Sequence, residues 1–275
     1  THAGVSFGHG TTNAHDEAAW LVLHALGLPL DIDIDGSAGK QPAAPDGQAR
    51  AATLLKARID TRQPLAYLLK EAWLQGVPFY VDERAIVPRS LIAEVIADGS
   101  IDPWLSDRTA KVLDLCTGNG SLAVLAALAW PEVQVDAADL SVEALAVARV
   151  NVEKHGLKDR IKPIESDGLH NCPGPYDLIL CNPPYVNVAS MAALPAEFRA
   201  EPALALAGGA DGMDFIRALL RDAPTRMSEH AVLVLEIGHE RTHFEAAFPR
   251  LNPVWLDTSA GGDQVLLLTC EALAP

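Results

Sequence analysis

Four consecutive residues, Asn182-Pro183-Pro184-Tyr185, carry the clearest chemical signal in the chain. They follow an apolar run, Tyr176-Asp177-Leu178-Ile179-Leu180-Cys181, that reads as a buried strand. Two prolines in succession fix φ and remove two backbone N–H donors. Each also pushes the residue before it toward an extended conformation. The Asn182 side-chain oxygen and the Pro183 carbonyl are left as acceptors in a rigid arrangement, with Pro184 and the Tyr185 ring beside them. Two acceptors and a flat wall suit a planar –NH₂ group: each acceptor takes one N–H, and the ring covers the π-face. The plainer alternative is a proline-rich strand end that only makes a turn.

Three further segments have the residue types to hold a polar ligand. Asp114-Leu115-Cys116-Thr117-Gly118-Asn119-Gly120 joins a strand to a helix. Gly118 and Gly120 let the backbone pass close to a ligand, and the helix that follows aims its N–H groups at the same spot. Asp114, in the approach to the loop, could meet a cationic amine. Asp139, nineteen residues beyond Gly120, ends the next strand. A carboxylate there can accept from both hydroxyls of a ribose. Ser166-Asp167-Gly168 follows a third strand, and Asp167 could accept from an adenine amino group. Both Asp139 and Asp167 have an ordinary alternative as helix caps. Gly118-Asn119-Gly120-Ser121-Leu122-Ala123 also fits the G-x-G-x-x-G/A turn of dinucleotide binders, with an acid at the right distance. A nicotinamide dehydrogenase is therefore a competitor. Against it stand the position of Asp114, a single nucleotide-binding half, and an Asn-Pro-Pro-Tyr segment with no role in hydride transfer.

The elements that must position these residues follow from hydrophobic periodicity and its breaks. Residues 14–28 and 48–61 read as helices, and a short third begins after Pro64 near Leu65-Ala66-Tyr67-Leu68. Residues 29–47 read as a loop; the run Asp31-Ile32-Asp33-Ile34-Asp35-Gly36 lacks the closing Glu of a calcium loop. Residues 73–88 read as two strand pieces, one with Phe79 and Val81, the other with Ile86 and Val87, turning at Asp82-Glu83. The expected organisation is a helical domain over 1–72, a connecting hairpin over 73–90 and a third unit over 91–275. From residue 110 strands alternate with helices: strands Lys111–Leu115, Val133–Ala138, Ile161–Ile164, Leu178–Cys181 and Ala231–Ile237, helices Ser121–Ala129, Val142–His155 and Phe215–Ala223. Val254–Thr258 and Val265–Thr269 close the chain as an antiparallel pair. Such alternation predicts an α/β fold, a parallel sheet covered on both faces, with ligands at the strand C-terminal ends.

Composition narrows the classes. The chain has 275 residues, 49% hydrophobic, which excludes disorder and allows one large or two ordinary domains. No apolar run reaches the length of a membrane span and no signal peptide opens the chain. The first residue is Thr, so a native start upstream is expected. Cys116, Cys172, Cys181 and Cys270 show no paired spacing, which points to reduced thiols in the cytoplasm. Cys181 reads as strand packing and Glu236 as a strand-end acid. His2, His9 and His15 have no metal-ligand spacing, and no metal is expected. The net charge of −15 argues against direct, sequence-independent nucleic-acid binding and favours a basic protein partner.

Taken together, the motifs over residues 86–270 resemble the class I S-adenosylmethionine-dependent methyltransferases. The resemblance implies a Rossmann-like sheet with a closing antiparallel hairpin, preceded here by a small helical N-terminal domain. It implies cofactor contacts from Asp114, Cys116, Thr117, Gly118, Gly120, Asp139, Asp167, Gly168 and Asn182, and substrate contacts from Asn182, Pro183, Pro184 and Tyr185, with Asn182 catalytic. The common pattern has Gly where this chain has Cys116. Asn-Pro-Pro-Tyr is shared by adenine-N6 methyltransferases of nucleic acids and glutamine-N5 methyltransferases of proteins. Glu83-Arg84-Ala85-Ile86-Val87-Pro88-Arg89-Ser90, Glu201-Pro202-Ala203-Leu204-Ala205-Leu206 and Gly208-Gly209-Ala210-Asp211-Gly212 are similar to the glutamine branch. Within it, Phe7-Gly8-His9-Gly10-Thr11-Thr12-Asn13-Ala14-His15-Asp16-Glu17-Ala18 resembles the group acting on large-subunit ribosomal protein L-three. The sister group acting on peptide release factors and an adenine-N6 methyltransferase of nucleic acids are the enzymatic alternatives, and a nucleotide-sensing module without activity is the non-enzymatic one. Arg89 reads either as a pocket residue, for cofactor or substrate backbone, or as an ordinary surface arginine.

Overall fold

Two apolar surfaces need covering in this chain, and a twisted sheet between them provides both. The computed structural model describes residues 3–37 and 39–274. In chain order the elements begin with α1 (Ala14–Leu26), α2 (Pro45–Thr61), α3 (Leu65–Leu69), β1 (Ala72–Leu74), β2 (Val77–Phe79) and α4 (Ile92–Ala97). The alternating part follows: β3 (Lys111–Leu115), α5 (Ser121–Ala129), β4 (Gln134–Asp139), α6 (Val142–Lys154), β5 (Ile161–Glu165) and β6 (Tyr176–Cys181). Next come α7 (Val188–Ala193), α8 (Ala196–Arg199), α9 (Asp214–Asp222), β7 (Met227–Glu236), α10 (Arg241–Ala247), β8 (Val254–Thr258), β9 (Gly261–Thr269) and α11 (Cys270–Leu273).

Seven strands form one sheet in the order β5-β4-β3-β6-β7-β9-β8. The neighbours from β5 to β7 are parallel, and β9 runs antiparallel between β7 and β8. The expected α/β sheet with its closing antiparallel hairpin is what forms. One face packs Ile92, Val95, Leu122, Val124 and Val152 from α4, α5 and α6. The other packs Ile216, Leu219, Leu220 and Phe244 from α9 and α10. Helix α5 is apolar around its circumference, with seven of its nine residues buried, because the sheet and other helices enclose it. Strand order reverses at β3: β4 lies on one side and β6 on the other. That reversal opens a crevice at the C-terminal ends of β3 and β6.

The hairpin lies earlier than the sequence indicates. β1 and β2 pair antiparallel with Ala72 opposite Phe79, and the turn is Gln75-Gly76, both with positive φ (50° and 74°). A two-residue turn with two left-handed residues matches the twist of the strands it joins. Asp82, expected in the turn, is instead buried and accepts hydrogen bonds from the Tyr80 hydroxyl and from Arg84. Val81 and Val87 owe their apolar character to burial against Trp20, Leu65 and Tyr67, not to strand pairing.

The N-terminal helices have their own apolar cluster, and buried ion pairs tie them to the segment between β6 and α9. Arg58 on α2 is 2% exposed. It donates to Glu17 Oε1 at 2.9 Å, to Glu197 Oε1 at 3.1 Å and to the Ser6 carbonyl at 2.7 Å. Arg62 adds two bonds to Glu197, at 2.6 and 2.9 Å. Burial raises the Glu197 carboxyl, but Arg62, the Ser6 amide and Arg58 outweigh it and bring the group down to about 2. Removing one member of a buried pair costs far more than the pair contributes net, because a charge stays buried alone. Arg58→Ala is therefore expected to lower unfolding free energy by about 3–5 kcal/mol in urea titrations, whereas exposed Arg50→Ala, which breaks a surface pair with Asp46, should cost under about 1 kcal/mol.

Candidate active site

At the end of β3 the chain bends through a loop whose shape depends on Asp114. The side chain is fully buried. Its Oδ2 accepts from the Thr117 hydroxyl and, at 2.8 Å, from the Ala123 backbone N–H in the first turn of α5. The helix start that could bind a ligand thus has one of its free N–H groups taken by the protein's own carboxylate. Burial pushes Asp114 up to about 7, against the bonds from Thr117 and Ala123. Its Oδ1 has no partner among the described residues. Asp114 therefore shapes the loop and does not reach the cavity wall. Thr117 is buried with it. Gly120 has φ 81°, and a Cβ there would meet Ala148 Cβ at 3.1 Å, so it is a packing glycine.

Gly118 is different. Its φ is 56°, and a Cβ built there would meet nothing within 4 Å, because the loop faces an open cleft. Its N–H donates to Asp139 Oδ2 at 2.9 Å, and Asp139 Oδ1 accepts from Ser141 N at 2.8 Å. Burial raises Asp139, opposed by these backbone N–H groups. Ser141, not Asp139, is the N-cap of α6. Cys116 sits at φ 61°, a left-handed backbone that costs a non-glycine residue about 1–2 kcal/mol; this is the physical reason a glycine suits that position. A contact with the Cys181 thiol, together with burial, holds the Cys116 thiol well above its usual range.

Asn182-Pro183-Pro184-Tyr185 leaves β6 with Leu115 and Cys181 in register, so Asn182 stands beside the Cys116 turn. Tyr185 is fixed from several sides. A Cβ at Gly208 would come within 2.7 Å of Tyr185 Cα, one at Gly212 within 2.3 Å of the Tyr185 carbonyl, and one at Gly238 within 2.5 Å of the Tyr185 ring. The Tyr185 hydroxyl donates to Glu236 Oε1 at 3.1 Å. Glu236 Oε2 accepts from Ser90 Oγ at 2.6 Å and Leu91 N at 2.9 Å. Burial raises Glu236, and these three donors oppose it.

Two adjoining cavities meet at Asn182. The first, of about 130 Å³, is lined by Gly118, Asp139, Asp167, Gly168, Pro184 and Cys116 among others. The second, of about 330 Å³, has Pro183, Tyr185, Arg89, Phe198 and Glu236 on its walls. Asn182 lines both. The structure thus brings Cys116, Gly118, Asp139, Asp167, Gly168, Asn182 and Pro184 to one wall, and places Pro183 and Tyr185 on the other side. Asp114, Thr117 and Gly120 lie behind it. Sequence reasoning missed Leu140, Leu204 and Phe215, which also line the first cavity. Leu140 and Leu204 are 50% and 57% exposed, apolar surface that a bound ligand would cover. Leu140 directly follows Asp139, which is the signal that could have found it. Glu236 is the strand-end acid the sequence suggests, satisfied by Ser90, Leu91 and Tyr185, and it lines the second cavity. His9 packs near Glu201, His15 lies exposed in the first turn of α1, and His2 falls outside the described residues.

A sheet of this order, with its last strand inserted antiparallel and two cavities meeting at Asn182 beyond the strand ends, belongs to the methyltransferases. A family model described as "Methyltransferase small domain" matches residues 102–209. The chain is 54% identical to the ribosomal protein uL3 glutamine methyltransferase of Bordetella pertussis, covering 98% of this chain and 91% of that protein. It is 48% identical to the protein of the same name from Burkholderia pseudomallei, over 99% and 91%. The chain belongs to the ribosomal protein uL3 glutamine methyltransferase family. In fold alone, the catalytic domain of hMettl16, solved in complex with MAT2A 3'UTR hairpin 1, aligns with a TM-score of 0.55 over 92% of this chain and 90% of that one, at 16% identity. No helix among the described residues is long and apolar enough to cross a membrane.

The packing around Tyr185 can be tested directly. Gly238→Ala places a methyl 2.5 Å from the ring on a backbone with φ 54°. The left-handed conformation alone costs about 1–2 kcal/mol, so a lower melting temperature is expected, together with a changed near-ultraviolet circular dichroism signal from the displaced ring.

Proposed function

We propose that this protein transfers a methyl group from S-adenosylmethionine to the side-chain amide nitrogen, N5, of a glutamine in large-subunit ribosomal protein uL3, acting in the cytoplasm. The observation that carries the reading is the position of Asn182 between two cavities, one suited to a nucleoside and one to a flat polar side chain. Family membership supports the reaction and the protein substrate.

The first cavity fits the cofactor by its donor set. Asp139 retains lone pairs for ribose hydroxyls beyond those used by Gly118 and Ser141. Gly118 leaves room where any side chain would intrude. Leu140, Pro184 and Phe215 offer apolar faces for a base, with Asp167 at their edge. S-adenosylmethionine, when bound, supplies the methyl group from a sulfonium. Asp114, held behind the loop, supports the cradle rather than meeting the cofactor's amine.

The protein's own work is on the amide. An amide nitrogen is a weak nucleophile because its lone pair is shared with the carbonyl, so placement matters more than a strong base. Asn182 Oδ1 and the Pro183 carbonyl each accept one N–H, which turns the nitrogen lone pair toward the first cavity. These acceptors gain strength as nitrogen becomes positive, so they favour the transition state over the bound substrate. Pro184 and the Tyr185 ring hold the amide plane. Tyr185 itself cannot swing, because Glu236 and the glycines behind it fix the ring. Residues 1–72 are read as the part that recognises the protein substrate; the acidic surface suits a basic ribosomal protein.

Two substitutions test the two cavities separately. Asp139→Ala should weaken S-adenosylmethionine binding by roughly 1.5–3 kcal/mol in calorimetry, the worth of hydrogen bonds to a charged group. Unchanged affinity would remove the ribose assignment. Asn182→Ala should reduce kcat for methylation of uL3 by on the order of 10²–10³, as for loss of one oxyanion-hole donor, with a much smaller change in cofactor affinity. Single-turnover transfer within a few-fold of the parent would refute the amide mechanism.

A further inference from the structure

Arg89 lines the second cavity and takes no part in the chemistry derived above. Its Nη1 donates to Glu201 Oε1 at 2.6 Å and to the Val87 carbonyl at 3.1 Å, and its Nη2 donates to Glu201 Oε2 at 2.7 Å. A guanidinium carries five N–H donors. These bonds use three, which leaves Nε–H and one Nη2–H without a partner among the described residues. The side chain is 27% exposed on the cavity wall.

Glu201 and Val87 hold Arg89, and the N-terminal segment packs against Glu201 and Phe198. Glu201 is fully buried and also accepts from Val87 N at 2.9 Å. His9 Nε2 lies 3.4 Å from Glu201 Oε2, and the His9 side chain is almost completely buried. The His9 ring stands 4.2 Å from the Phe198 ring. Phe198 lines the cavity, with the Arg89 guanidinium 5.4 Å from its ring centroid. Gly8 has φ 122°, and a Cβ there would meet Phe198 at 3.1 Å. The Gly8-His9 segment therefore fills the rear of a wall whose front is Phe198 and Arg89.

We propose that Arg89 binds a backbone carbonyl of the protein substrate beside the target glutamine, and that His9 is a positioning residue which, through Glu201 and Phe198, aims the two free N–H groups of Arg89. This rests on the second cavity being the glutamine pocket. An internal glutamine enters with peptide carbonyls on both sides, and a carbonyl that loses water needs a donor. Of the other polar groups on this wall, exposed His239 offers a single ring N–H when neutral, not a directed pair, and the rest are engaged by neighbours. Glu236 accepts from Ser90, Leu91 and Tyr185. Gln264 Nε2 donates to the Ala260 carbonyl at 3.1 Å. The planar fork of arginine can grip Glu201 with one edge and present its remaining N–H groups to a second acceptor, which a lysine ammonium cannot do in a fixed direction.

The test is steady-state methylation of intact uL3 by the full chain, with S-adenosylmethionine affinity and melting temperature measured for each variant. Arg89→Lys keeps the charge and loses the fork. Its KM for uL3 should rise about tenfold, the effect of one charge-assisted hydrogen bond, with kcat within about threefold and cofactor affinity unchanged. His9→Ala should raise KM in the same direction, and the double variant should be no worse than Arg89→Lys alone, because His9 acts through Arg89. An unchanged KM in Arg89→Lys overturns the proposal, and so do effects that multiply in the double variant. If Arg89→Lys does not fold, His9→Ala and Phe198→Leu, which leave the Arg89–Glu201 pair intact, carry the test: raised KM supports it and unchanged KM overturns it. Asn182→Ala run alongside separates the two levels. Retained activity there would undo the pocket reading itself, whereas collapse of kcat with an unmoved KM in Arg89→Lys would remove only the role of Arg89.

Discussion

A buried carboxylate must find donors, and this acidic chain uses that requirement to fix segments that no helix or strand can hold. Glu197 gathers Arg58, Arg62 and the Ser6 amide. Glu201 gathers Arg89 and the Val87 amide. Glu236 gathers Ser90, Leu91 and Tyr185. Asp114 and Asp139 do the same within the glycine loop and at the end of β4. Each acid accepts from at least two residues, and Asp139 and Glu236 line the two cavities that share Asn182. An apolar residue at any of these positions would pack as well but would specify no direction. Because desolvation of a charge is so unfavourable, these groups tolerate few alternative arrangements, and the substrate wall inherits that rigidity.

The parts of this design that repeat in sequence were legible there. Strands β3 to β7 show as short apolar runs, and the glycine loop shows as punctuation between β3 and α5. Asn182-Pro183-Pro184-Tyr185 could be interpreted because prolines restrict the backbone whatever surrounds them. Asp139 was legible as a strand-end acid at a telling distance. The parts that depend on distant partners were not. Asp114 looks like a ligand residue until the first turn of α5 is seen to occupy it. The hairpin was misplaced because Gln75 carries no turn signature, while Val81 and Val87 mimic strand residues by being buried. Gly208, Gly212 and Gly238 lie 23 to 53 residues from Tyr185 in sequence, and only their closeness to its backbone and ring explains why they lack side chains.

Cys116 illustrates the cost of such a site. Its left-handed backbone is unfavourable for any residue with a Cβ, yet it sits where the loop must turn toward Asp139. Strain of this kind persists only where surrounding contacts over-determine the conformation. Here the neighbouring Asp114 and Gly118 bonds, the β3–β6 register and the contact with Cys181 supply them. The first cavity is thus held by the sheet, and the second by ionic contacts from outside the sheet.

The link between Arg58 and Glu197 spans 139 residues, and this has a consequence for how the protein comes into being. At roughly 5–20 residues per second, a ribosome that has just made α2 needs on the order of ten seconds to deliver the acid that neutralises Arg58. Through that interval the nascent helices must keep this guanidinium hydrated or lean on Glu17 alone. The N-terminal region, although first made, is among the last to be completed. A chain that stalls before α8 leaves the region open to chaperones and proteases, so a finished N-terminal region appears only on a molecule that already possesses β3 to β6 and the Asn182 turn.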